Sequence, residues 1–230
     1  MTPREVYDVL VSKGATHLHH ANSVTTSCTF LEQGALLSRD FVVQNHLIQT
    51  PQSSDADDQR YGIWDCIFLD HVDIHERGGA RKGPNQYGPV LFIFNIDILL
   101  GLPTGTEIGV TKLNPIHWWQ YPDDVDRWFQ DKNELDANLE YGDFHKMLVI
   151  RTPSGRIDFP NHSSNIILDD PHLLLSSGSD AYLHAVDRLN AAGARGHVSV
   201  AITKRNCRAS CICRAIYAAW PIQKVDLYFQ

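Results

Sequence analysis

Apolar and polar residues alternate along the chain in short blocks, some with the spacing of a helix and others with the spacing of a strand. Apolar positions three or four residues apart predict helices over 2–12, 24–34 and 179–192. Thr2 is a favourable N-cap for the first of these helices, and Gly34 and Gly193 are suited to end the other two. Runs rich in branched and aromatic residues predict strands over 16–21, 63–69, 90–96 and 197–202.

The remaining segments predict how these elements connect. The segments 146–151 and 156–159 are expected to pair as a hairpin, 49–60 is predicted as a polar surface loop, and 123–139 as an acidic insertion with helical pieces. We therefore expect an α+β fold, with a mixed, mostly antiparallel sheet and flanking helices, in a single domain over 1–226. Residues 227–230 resemble the end of a protease-cleavage tag and are expected to lie outside that domain.

Composition narrows the class of protein. A chain of 230 residues that is 43% hydrophobic and 10% aromatic is folded rather than disordered. The net charge of −7 disfavours a broad basic surface for nucleic acid but is compatible with a local basic groove. The sequence has 5 Cys, no signal peptide and no apolar run long enough for a bilayer, so we expect a cytoplasmic protein without membrane contact.

The most informative stretch lies near the N-terminus. A predicted strand carries His20 and Asn22, a helix follows and stops at Gly34, and a polar turn with Ser38 and Arg39 comes next. Such a unit can place an imidazole and backbone amides in one crevice, which suits a ribose hydroxyl, an amide or a phosphate.

This stretch resembles the opening of ADP-ribosyltransferase domains, and in particular of the DarT-type toxins, which modify DNA. His20 falls on the family's His, Asn22 on its Thr, and the run from Gly34 through Leu36 and Leu37 to Ser38 falls on its Gly-Leu-Leu-Ser. The resemblance implies an ADP-ribosyltransferase-like fold and NAD as substrate. It implies NAD contacts for His20 and Asn22, with Gly34, Ser38 and Arg39 in the same cofactor-binding stretch.

Beyond residue 40 the likeness is looser, although it extends to about residue 160. It implies a place near NAD for Arg60. Family members use a late Glu at the start of a strand to help nicotinamide leave, and the matching strand here, 143–149, contains none. Glu140 and Asp143 lie just before it and His145 at its start, so either carboxylate is a candidate for stabilising the positive charge. His145 could not do so when protonated.

The resemblance implies transfer of ADP-ribose from NAD to DNA or RNA. It also implies a toxin or phage-defence effector with a neutralising antitoxin partner. Because the late Glu is missing, a module that binds a nucleotide or nucleic acid without reacting is a second hypothesis.

A third hypothesis uses a cluster of acids and histidines over 65–76. His71 and Asp73 alternate along a strand end, and with a distant His197 they are similar in order to the iron ligands of 2-oxoglutarate-dependent oxygenases. The same run also contains Asp65, Asp70, His75 and Glu76. The transferase hypothesis requires no metal.

Two further clusters have open roles. Cys207, Cys211 and Cys213 fit either small core residues or a zinc site, among arginines that give 204–214 a local positive charge. The aromatic residues over 118–129 fit either anchors for a long loop or platforms for stacking on bases.

Overall fold

The computed structural model describes residues 1–74, 87–143, 146–206 and 212–230. The helices in these ranges are α1 Pro3–Ser12, α2 Val24–Gln33, α3 Arg39–Gln44, α4 Asp55–Arg60, α5 Asp124–Arg127, α6 Lys132–Asn138, α7 Ala181–Arg195, α8 Ile212–Ala219 and α9 Ile222–Phe229. The strands are β1 His17–Asn22, β2 Ala35–Leu37, β3 Ile67–Asp70, β4 Val90–Asn95, β5 Glu107–Val110, β6 Met147–Arg151, β7 Arg156–Asp158, β8 Ser163–Asp170 and β9 Ser199–Asn206.

The N-terminal elements form where the sequence predicts them, because their ends carry strong local signals. Thr2 caps α1 through a capping box with Glu5, in which each side chain bonds the other residue's backbone N–H. Ser23 caps α2, and Gly34 ends it in the left-handed conformation at φ 65°, which glycine adopts without strain.

Seven strands form the main sheet, in the order β5-β6-β3-β1-β4-β8-β9, and β2 pairs with β7 in a small second sheet. Among the described strands, each pairing is antiparallel except that of β8 with β9. The prediction of an α+β fold with a mixed, mostly antiparallel sheet is therefore confirmed. Apolar side chains from the main sheet, α1, α2 and α7 form one continuous core.

The register of β1 differs sharply between its two neighbours. It pairs with β4 along its whole length, at six positions, whereas it pairs with β3 at one position, His19 opposite Asp70. Beyond that pair the two central strands separate, and the sheet opens between them.

Three sequence predictions are wrong in detail. Strands β6 and β7 do not form a hairpin, because β6 pairs with β3 and β5 while β7 pairs with β2. The polar segment 49–60 contains α4, on which Asp58 is buried. Gly193 does not end α7 but lies inside it, facing Val200 of β9.

The last helix, α9, is packed against the rest of the protein. In α9, Val225, Tyr228 and Phe229 are buried in a second apolar cluster, against Tyr217 of α8. Tyr228 and Phe229 belong to the four residues that resemble a cleavage tag, and Phe229 has no exposed surface. Among the described residues, no helix is both long and apolar enough to cross a bilayer.

Candidate active site

A cleft opens where β1 and β3 separate. Its empty volume is about 770 Å³, counted out to the open mouth. Residues of β1, α2, β3 and α4 line it, together with the 3-10 helix Pro115–Gln120, from which Pro115 and Ile116 reach the cleft. His20, Asn22 and Arg39, which the sequence singles out for binding NAD, lie together here.

The imidazole of His20 is held in one tautomer. Nδ1 lies 2.8 Å from the carbonyl oxygen of Phe68, which can only accept, so Nδ1 carries the proton. Burial lowers the pKa of His20 to about 4, and the ring is neutral at physiological pH. Its Nε2 therefore has a free electron pair, and the amide nitrogen of Asn22 lies 3.3 Å away as a donor.

Asn22 connects the histidine to the opposite wall. Its Oδ1 accepts from the backbone N–H of Ser23 at 2.9 Å and from Nε2 of Gln52 at 3.4 Å. Only 4% of Asn22 is exposed, and Gln52 also lines the cleft. The amides and the imidazole thus form a short chain of neutral donors and acceptors.

Arg39 supplies a buried positive charge. Its Nη1 donates to Oε1 of Gln49 at 2.8 Å and to the carbonyl oxygen of Thr50 at 2.9 Å. Its Nη2 lies 3.2 Å from a carboxylate oxygen of Asp55, and the side chain is 11% exposed. Burial lowers its pKa, but a guanidinium remains charged at any physiological pH.

Gly34 and Ser38 shape the chain between α2 and α3. Gly34 turns the chain out of α2, and the hydroxyl of Ser38 accepts from the N–H of Phe41 at 3.2 Å, capping α3. Neither residue lines the cleft. Together they fix the start of α3, where Arg39 is the first residue.

The cleft also contains polar residues that sequence reasoning did not assign to it: Asp58, Asp70, Tyr87 and Asn114. Burial raises the pKa of Asp58 to about 6, and the hydroxyl of Ser54 donates to it at 3.2 Å. Burial raises the pKa of Asp70 to about 8. An acid at the end of an otherwise apolar strand was the available signal for Asp70, whereas the acidic composition of 49–60 concealed Asp58.

The candidates from the looser part of the resemblance do not line the cleft. Arg60 is exposed at the end of α4, with its guanidinium 5.0 Å from the centre of the Tyr61 ring. Glu140 is exposed, and Asp143 forms an ion pair with Lys146 at 3.4 Å. His145 lies outside the described residues, and the catalytic roles of all four stay predictions.

The three candidate iron ligands are separated. Nδ1 of His71 bonds the carbonyl oxygen of Lys146 at 3.1 Å, and Asp73 is paired with Arg205 near the end of β9. His197 precedes the start of β9, so about eight extended residues, roughly 20 Å or more, lie between it and Arg205. No group of three or more potential metal ligands occurs in the described ranges, which exclude His75 and Glu76.

The structure describes the cysteine, basic and aromatic clusters in part. Cys207 and Cys211, and the side chain of Cys213, lie outside the described residues. Lys204 is paired with Asp170 at 2.5 Å, so part of the basic C-terminal stretch is neutralised. Trp118 and Phe129 are buried and anchor their segment, whereas Trp119 is 67% exposed.

No model of a protein family matches the sequence. No curated protein matches it either. Solved structures of DarT from Thermus sp. 2.9 are similar to it. The structure of DarT in complex with ADP-ribosylated ssDNA has 11% sequence identity and a TM-score of 0.44, and covers 82% of this chain and 94% of that chain. The structure of DarT in complex with carba-NAD+ has 12% identity and a TM-score of 0.42, and covers 83% and 96%.

Proposed function

We propose that the protein is an NAD-dependent ADP-ribosyltransferase that binds NAD in the cleft between β1 and β3. The observation that carries the proposal is the convergence of His20, Asn22 and Arg39 on one cleft. All three belong to the stretch over 16–40 that resembles the NAD-binding opening of ADP-ribosyltransferase domains. NAD requires the same set of groups: a cation for its pyrophosphate, and neutral donors and acceptors for its ribose and amide.

Each of the three has a chemically suited part of the substrate. The guanidinium of Arg39 suits the pyrophosphate, although Asp55 already balances part of its charge. When the Asn22 amide turns from Nε2 of His20 to pair with the carboxamide, Nε2 can accept from a ribose hydroxyl. The reaction is cleavage of the bond between nicotinamide and ribose, with transfer of ADP-ribose to an acceptor.

The acceptor and the setting come from the resemblance over residues 16–40. We propose a DNA or RNA base as the acceptor. We also propose a cytoplasmic role as a toxin or phage-defence effector, with an antitoxin protein that neutralises it. Incubating the protein with NAD and single-stranded DNA, double-stranded DNA or RNA, followed by mass analysis of the nucleic acid, identifies the acceptor. Transfer to none of them would refute a nucleic-acid acceptor.

The test of NAD binding is calorimetric titration, followed by measurement of free nicotinamide. Arg39→Ala and His20→Ala are expected to weaken NAD binding at least tenfold. Arg195→Ala is the matched control, since Arg195 bonds the exposed Glu32 and neither residue lines the cleft. Absence of NAD binding by the wild-type protein would refute the proposal.

A binding module without catalysis is the second candidate function. One observation favours it: Glu140 and Asp143, the carboxylates expected to assist the leaving group, do not line the cleft. Tight NAD binding without nicotinamide release, with every nucleic acid tried, would establish this candidate in place of the transferase.

A further inference from the structure

Asp70, an acid far from Glu140 in the sequence, lines the cleft, whereas Glu140 does not. Asp70 is the last residue of β3, opposite His19 of β1 and Met147 of β6. It lies at the point where the central strands begin to separate, it is 8% exposed, and it lines the cleft. Within the described part of the chain, its carboxyl group has no hydrogen-bond or ion-pair partner. A buried polar group without a partner is costly for the fold, which points to a ligand as its partner.

Two uncharged polar residues, Tyr87 and Asn114, line the cleft together with Asp70. Tyr87 accepts a hydrogen bond from Nδ2 of Asn114 at 3.3 Å, and the same nitrogen lies 3.3 Å from the sulfur of Met147. Burial raises the pKa of Tyr87 to about 12, so its hydroxyl keeps its proton. Among the described residues, Asp70 therefore lies near two neutral polar groups, and Asp58 also acts on the Tyr87 hydroxyl.

The positive Arg39 and the acid Asp70 have different neighbours in the cleft. Arg39 contacts Gln49, Thr50 and Asp55. Asp70 lies opposite His19 of β1 and Met147 of β6. These neighbours differ, so the cation and the acid occupy different parts of the cleft lining. NAD has the matching arrangement, with an anionic pyrophosphate in the middle and a cationic nicotinamide ring at one end.

We infer that Asp70 is the catalytic carboxylate of this cleft, facing the nicotinamide ribose of NAD. This inference rests on the proposed function and specifies which end of the substrate meets which end of the site. The cationic nicotinamide ring of bound NAD favours the ionised form of Asp70, and the carboxylate then stabilises the positive charge that develops at the ribose C1′. The bond between C1′ and the nicotinamide nitrogen breaks, and its electron pair leaves with nicotinamide, which becomes neutral. The nucleophilic atom of the acceptor forms the new bond to C1′ and releases its proton to solvent.

The other carboxylates near the cleft are less suited to this role. Asp58 already accepts from Ser54 and lies in the field of Arg39, which belongs to the phosphate end. Asp55 is paired with Arg39 itself. Asp143 is paired with Lys146 and does not reach the cleft.

The decisive experiment compares two probes that differ in the nicotinamide ring. A non-hydrolysable NAD analogue carries the cationic ring, whereas ADP-ribose lacks it. Asp70→Asn is expected to weaken binding of the analogue at least tenfold, about 1.4 kcal/mol, and to change binding of ADP-ribose less than twofold. Asp97→Asn is the control, because Asp97 is exposed and accepts from Tyr7 away from the cleft.

Turnover gives an independent readout. Asp70→Asn is expected to lower kcat for nicotinamide release at least a hundredfold, with Asp70→Ser as a second variant should the first fail to fold. An unchanged ratio of the two affinities in Asp70→Asn would overturn the inference. Full turnover in that variant, or loss of turnover only in Glu140→Gln or Asp143→Asn, would overturn it as well.

Failure of the proposed function has a different signature. If the wild-type protein binds neither probe, the proposed function fails, and the assignment of Asp70 fails with it. If the wild-type protein binds both probes and releases no nicotinamide, transfer fails, and the unequal effect of Asp70→Asn on the two probes still decides whether Asp70 meets the nicotinamide end.

Discussion

His20 bridges the two central strands where they separate: its Nδ1 donates to the carbonyl oxygen of Phe68 at 2.8 Å. The side chain thus takes the place of a backbone hydrogen bond between β1 and β3, which pair at a single position. The ring also packs against Phe30 of α2, with the ring centres 5.6 Å apart. One residue therefore both closes the inner end of the cleft and presents Nε2 to it.

Replacing His20 is expected to weaken the fold as well as ligand binding. His20→Ala removes the partner of the Phe68 carbonyl and leaves a void against Phe30, and the two effects together cost about 2–4 kcal/mol. His20→Gln can retain a donor and is expected to lose less. Urea unfolding measures both variants. Equal stability of His20→Ala and the wild type would show that the bridge contributes nothing.

The buried histidine predicts a loss of stability in acid. In the folded protein the pKa of His20 is lowered to about 4, whereas the unfolded value is 6.5, so between these values the unfolded chain binds a proton that the folded one does not. The stability due to His20 is complete above pH 6.5 and declines as the pH falls towards 4. The free energy of unfolding of His20→Gln should fall less steeply over this window. The exposed His46→Asn serves as a control that should follow the wild type.

The raised pKa of Asp70 predicts that the folded protein loses stability as the pH rises. Its folded pKa is raised to about 8 from 3.8, so above pH 4 the unfolded chain loses a proton that the folded protein keeps. The folded state is therefore increasingly disfavoured from pH 4 to pH 8. Asp70→Asn should be more stable than the wild type by about 5 kcal/mol at pH 8 and nearly equal to it at pH 4. A destabilised Asp70→Asn at pH 8 would show that the carboxylate has a stabilising partner.

The sequence predicts this architecture best where local signals and burial agree. Thr2, Ser23 and Gly34 mark helix ends by chemistry that needs no distant partner, and those helices form as expected. Partner choice among strands depends on distant residues instead. The turn over 152–155 predicts a hairpin of β6 with β7. Instead β7 pairs with β2, because Leu36 and Ile157 lie opposite each other in the core.

The candidate site shows the same limit. His20, Asn22 and Arg39 lie within twenty residues of one another, and a strand, a helix and a turn suffice to bring them together. Asp70 enters the same cleft from β3, and Asn114 from a loop much later in the chain. No local pattern places these two beside His20, since their position depends on how β3 pairs with β1 and β6.

Gly193 tests the packing of α7 against β9. A Cβ at this position would lie 2.4 Å from Cγ2 of Val200 and 3.0 Å from the carbonyl oxygen of Val198. Gly193→Ala is therefore expected to destabilise the protein by about 1–3 kcal/mol, although alanine is the better helix former. Adding Val200→Ala should recover part of the loss, because it removes the closer clash. Stabilisation by Gly193→Ala alone would show that the helix can move away from the strand.

The last helix offers a matched pair of substitutions. Phe229 is fully buried against Tyr217, with ring centres 5.3 Å apart, while Leu227 on the same helix is 47% exposed. Phe229→Ala is expected to cost about 3–4 kcal/mol through the lost burial and the cavity left behind. Leu227→Ala should cost about 0.5 kcal/mol or less, because it changes an exposed position. Thermal and urea unfolding of the two variants measure the difference. Equal, small effects would show that residues 227–230 behave as an appended tag rather than as part of the packed helix, since a tag contributes no buried contacts to the folded state.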